Sequence, residues 1–97
     1  MEDLDIRPSR LHEEAKALRI VAAAMGAELT RIEDAGDGLR PQWAGAARDG
    51  FDVAQTRARN RLEGSRQRLV AAAQAADTIA DAYAAADRSA AEALGGQ

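Results

Sequence analysis

The apolar letters in the first third of the chain fall on a single line. Leu11, Ala15, Leu18, Ala22, Met25, Leu29 and Ile32 follow one another at steps of 4, 3, 4, 3, 4 and 3, an unbroken heptad seam. That spacing predicts an amphipathic helix over about residues 9–35. Ser9 is placed to cap its N-terminus, and Glu13 and Glu14 sit early in it, where the helix dipole favours acids. Pro8 biases Arg7 away from the helical region, so residues 4–7 are expected to enter extended. Gly36-Asp37-Gly38, followed by Pro41, reads as the stop. After a bend over 36–42, apolar residues resume and run without a further Pro to Gly95-Gly96, which predicts a second helix over about 43–94. Its seam is Ala47, Phe51, Ala54, Ala58, Leu62, Ser65, Leu69, Ala72, Ala76, Ile79, Tyr83, Ala86 and Ala90. Two successive steps of four from Ala54 to Leu62 read as a stutter.

Two helices about a short bend make an antiparallel hairpin, so the expected fold is all-α, with residues 1–97 as one domain. Folding about Leu39 sets Leu18 against Asn60 and Leu11 against Gln67. On that register the last 25 or so residues overhang the first helix by about 37 Å, at 1.5 Å per residue.

Composition changes the picture at one point. Of 97 residues 46% are hydrophobic, but 25 of these are alanines, with only eight Leu, four Ile and three Val. Alanine favours helix and removes little area from water when buried, so a hairpin core built from it is thin and wants a partner. A four-helix-bundle dimer, of two identical or two related hairpins, is the expected result. The longest apolar stretch, Ile20 to Met25, is far short of the roughly 20 residues that span a membrane. The acidic opening Met1-Glu2-Asp3-Leu4-Asp5 lacks the apolar region of a secretory signal. There is no cysteine, and the formal charge of −3 gives no general attraction to nucleic acid.

Candidate chemistry is sparse. His12 is the only histidine and lies about 100° round its helix from the seam, as a solvated residue does. Asp77 and Asp81 share a face at i and i+4, but a lone carboxylate pair makes no di-metal site, and the same holds for Glu13-Glu14. No phosphate-binding glycine loop and no nucleophile–histidine–acid set is present, so no enzyme, cofactor or metal is expected. Arg57, Arg61 and Arg68 fall within about 40° of one another on the second helix, with Arg59 and Arg66 on the other flank of the seam. Without interleaved aromatics they form no stacking platform, and nucleic acid is not the expected partner.

Two short motifs remain. The only Trp stands in Trp43-Ala44-Gly45 at the bend, with Phe51 eight residues on. Near the C-terminus, Tyr83 and Asp87 lie one helical turn apart. The indole is suited to closing the end of the seam, and Gly45 to letting the ring or a backbone approach closely. Length near one hundred, a helical hairpin, a W-x-G at the bend and a Y-x-x-x-D in the tail together resemble the WXG-hundred (ESAT-like) family, small substrates of type VII (ESX) secretion systems. The opening Ile6-Arg7-Pro8-Ser9-Arg10-Leu11 and the tail around Tyr83 are also similar to the EspC-like secretion-associated proteins of the same pathway. The resemblance implies a hairpin that folds in the cytoplasm and is exported as a dimer by a Sec-independent route. It also implies Tyr83 and Asp87 as a signal for the membrane-bound secretion ATPase, and the bend motif Trp43 and Gly45 near the tail of the partner subunit. The packing seam expected to hold the assembly is Leu11, Leu18, Met25, Leu29 and Ile32 with Phe51, Leu62, Leu69 and Ile79. A cytoplasmic hairpin adaptor, or less readily an arginine-rich nucleic-acid binder, is the alternative.

Overall fold

A computed structural model describes residues 7–95; the extended entry expected over 4–6 lies outside the described residues. Helix α1 spans Pro8–Leu39, a 3-10 turn spans Arg40–Gln42, and helix α2 spans Gly45–Gly95. The two helices form an antiparallel hairpin.

Pro8 opens α1 at its first turn, where a missing N–H costs nothing. Arg7 precedes it with φ −63° and ψ 137°, the extended conformation that a following proline imposes. Ser9 therefore lies inside the helix, and no side chain caps the N-terminus. At the other end Gly36 and Gly38 do not stop α1, as their letters predict. Neither takes a positive φ, and the helix runs on to Leu39. The break comes at Pro41, which has no N–H to continue the ladder.

This late break resets the pairing of the helices. Gln55 packs against Gly36, Arg59 meets Glu33, Arg66 lies beside Gly26, and Asp77 meets Arg19. Pro8 is thereby brought level with Tyr83, not with the middle of α2. Only residues beyond about 84 extend past α1, by about 16 Å at 1.5 Å per residue. The long overhang expected from a fold about Leu39 is thus less than half as long.

Fully buried residues are small: Ala15, Ala22 and Gly36 on α1, Ala73 and Ala80 on α2. On each helix the alanines stand one heptad apart, and small side chains let the two backbones close on each other. The inner line of α2 passes through Gln55, Arg59, Leu62, Arg66, Leu69, Ala73, Ala76 and Ala80, all buried or half-buried. It keeps heptad steps throughout, so the stutter from Ala54 to Leu62 is not a feature of the hairpin contact. Ala54, Ala58, Ala72, Ile79 and Tyr83 are exposed, on a second stripe beside the inner line.

The molecule is a rod of 79 × 24 × 19 Å with a radius of gyration of 22.0 Å, where a compact chain of this length has about 12–13 Å. Its accessible surface is 7173 Å², against about 5,400 Å² for a compact monomer of the same mass.

Candidate functional site

At the bend, the 3-10 turn closes with the Trp43 N–H donating to the Arg40 carbonyl at 3.2 Å. Trp43 itself is extended, and its carbonyl accepts a hydrogen bond from Arg48 Nε at 3.0 Å. Its indole stacks on Phe51, with ring centroids 5.6 Å apart and planes 25° apart. Gly45 follows with φ +60°, the one positive φ among the described residues. A Cβ there would meet nothing within 4 Å. The glycine is needed for a left-handed backbone, not for the close approach that the sequence suggests. Arg40 spans the bend to Asp52, donating from Nε at 3.0 Å and Nη2 at 3.1 Å. These bonds hold the Asp52 carboxyl below its ordinary value.

Beside the ring pair lies an apolar groove formed by Ile32, Ala35 and Leu39 of α1 with Phe51 and Ala54 of α2. At the far end of the rod, Ile79, Ala82, Tyr83 and Ala86 form an exposed apolar patch on α2. Between groove and patch runs the second stripe of α2, roughly 90° round the helix from the line that faces α1. Leu11, Leu18, Met25, Leu29, Ile32, Phe51, Leu62 and Leu69 are each half-buried, with part of the side chain in the hairpin and part open beside it. Ile79 is 47% exposed and belongs to the stripe alone.

Tyr83 and Asp87 sit one turn apart on α2, both exposed. Tyr83 is level with the start of α1 and Asp87 lies beyond it. Trp43 and Tyr83 are about 60 Å apart along α2, so a single hairpin keeps the two motifs at opposite tips.

His12 is not the isolated surface residue that its position relative to the seam suggests. Its Nδ1 lies 2.7 Å from Asp77 Oδ1 and its Nε2 3.4 Å from Asp81 Oδ1, while Arg19 Nη2 lies 2.7 Å from Asp77 Oδ2. The His12 hydrogen bond, and after it that of Arg19, lowers the Asp77 carboxyl from its ordinary value. The cluster clasps the open end of the hairpin. Its signal was present in the i, i+4 aspartates, but only the correct register places them over His12. Among the described residues no helix is long and apolar enough to cross a membrane.

The family model for "proteins of 100 residues with WXG" matches residues 3–88. Among solved structures, the secreted protein EsxB from Bacillus anthracis superposes with a TM-score of 0.79 at 23% identity, covering 90% of this chain and 99% of that one. Two point variants of the same protein superpose at 0.79 and 0.74, again at 23% identity, over 90% and 86% of this chain and 97% and 95% of theirs. At that identity the likeness shows the fold alone. No curated protein matches. The W-x-G at the bend, the hairpin that carries it and the family match over most of the chain together make this protein a member of the WXG100 family of small helical type VII secretion substrates.

Proposed function

We propose that the chain is exported, folded, as one half of an antiparallel four-helix dimer, by a type VII system whose membrane-bound ATPase reads Tyr83 and Asp87. The observation that carries this is the second apolar stripe. It is uncovered in a single hairpin and joins the apolar groove beside Phe51 at one tip to the Ile79–Tyr83 patch at the other, through the small residues Ala58, Ser65 and Ala72. Stacking a second hairpin antiparallel covers the stripe and brings the bend of each subunit to the tail of the other. Asp87 stands past the end of α1, where a receptor can reach its carboxylate with a charged hydrogen bond.

The test is export from a strain with a working type VII system. Tyr83→Ala and Asp87→Asn should each abolish secretion while leaving helicity intact. Asp77→Asn is not a neutral control, because Asp77 holds α1 through His12 and Arg19; Glu92→Gln is. Tyr83 also belongs to the apolar patch, so its replacement by Ala affects pairing as well as recognition. Sedimentation of the same variants separates the two effects. If both changes leave secretion intact, the tail is no signal and the cytoplasmic adaptor is the better reading.

A further inference from the structure

Arg48 stands in a place that disfavours it twice. It lies in the first turn of α2, where the positive end of the helix dipole opposes a cation. It is also the one half-buried residue in the stretch 41–50, where every neighbour is exposed. One heptad before Gln55, it begins the inner line of α2 beneath the bend. Among the described residues it forms no ion pair, and Asp52, the carboxylate that feels its charge, is taken first by Arg40. Its Nε donates instead to the Trp43 carbonyl, at 3.0 Å.

That bond completes a two-sided hold on the tryptophan. The Trp43 N–H is fixed to the Arg40 carbonyl at 3.2 Å, from the side of the 3-10 turn. Arg48 reaches back five residues and fixes the carbonyl from the side of α2, with a charge-assisted hydrogen bond. Between the two grips Trp43 is extended, at φ −112° and ψ 154°, and its ring lies on Phe51. Phe51 is three residues beyond Arg48 on the same helix, so donor and ring platform form one rigid piece. Only Ala44 and Gly45 join Trp43 to that piece through the chain, and a glycine at φ +60° has the widest backbone freedom of any residue. We infer that Arg48 is the positioning residue of the W-x-G bend. Its bond to the Trp43 carbonyl holds the indole on Phe51, and export depends on that hold. The inference rests on the export reading above and adds to it a residue outside both motifs.

Trp43 is the only tryptophan, so fluorescence reports on its ring alone. Arg48→Met keeps an unbranched stem and helix propensity but removes the donor, whereas Arg48→Lys keeps a charged donor. In Arg48→Met the acrylamide quenching constant should rise about twofold, as a residue 41% exposed approaches full exposure. Secretion from a strain with a working type VII system should fall several-fold with it. Arg48→Lys should restore most of both. Arg57→Met, at an exposed position of α2 remote from the bend, should change neither. Circular dichroism and sedimentation should match the unaltered chain throughout. A quenching constant that Arg48→Met leaves unmoved overturns the positioning role. Loss of helicity or association in that variant overturns it as well, because the residue would then serve the fold. Ring release with undiminished secretion overturns its place in export. Tyr83→Ala and Asp87→Asn, which leave the bend untouched, then show whether the tail signal stands without it.

Discussion

At the scale of single residues the glycines hold the lesson. Gly45 is the only described residue at positive φ, and its surroundings are empty, so its requirement is purely conformational. Gly45→Ala should cost about 1–2 kcal/mol in a urea titration, and Gly45→Asn less, because Asn tolerates the left-handed region. Gly36 is the opposite case. Its φ is ordinary, but a Cβ would overlap the Gln55 amide, which donates to the Ile32 carbonyl at 3.2 Å. Gly36→Ala alone should change stability little, since the helix-propensity gain of about 0.5–1 kcal/mol offsets a displaced hydrogen bond of similar worth. In a Gln55→Ala background the same change should stabilise by about the full propensity gain, and a thermodynamic cycle reads the difference. A glycine letter states neither its φ nor its neighbour. That is why the W-x-G was legible as a bend, while Gly36 and Gly38 pointed to a helix end that does not exist.

At the scale of the helices, periodicity was legible and register was not. The heptads of both helices stand in the sequence, and the hairpin follows from them. Which residues face each other depends on where the chain turns, and α1 passes through both glycines before Pro41 breaks it. The apolar letters of α2 also trace its second stripe more clearly than its inner line, because that line carries Gln55, Arg59 and Arg66. The clasp of His12, Arg19, Asp77 and Asp81 was hidden for the same reason. Its pH dependence has a definite sign. The folded Asp77 carboxyl is held below its ordinary value by His12 and then Arg19. That contribution is therefore whole above the ordinary carboxylate pKa of about 4 and lost as pH falls through the depressed folded value. Asp77→Asn should speed amide exchange in the first three turns of α1 at pH 6 and leave the bend unchanged. Acidification through that depressed value should bring the unaltered chain to the behaviour of the variant. An effect spread evenly along α1 would contradict a local clasp.

At the scale of the whole molecule, half-burial is the governing fact. Leu18 and Leu62 each present part of their surface to the other helix and part to the open stripe. Truncating either to Ala should cost well under 2 kcal/mol in dilute solution, where only the hairpin contact is lost. At concentrations where the stripe is covered the loss should approach 2–5 kcal/mol. Melting the unaltered chain across a hundredfold range of concentration tests this, because a covered stripe makes the midpoint rise with concentration. A constant midpoint would mean that the stripe stays bare. The shape has a further consequence for any journey through a pore. A rod 79 Å long and 24 × 19 Å in section, travelling end-on, demands an aperture fitted to its girth and not to its mass. A companion laid alongside, bend to tail, adds chiefly to the girth and to the length only the short overhang beyond about residue 84. Slenderness thus lets a folded protein pass where a rounder one of equal weight would first have to unravel.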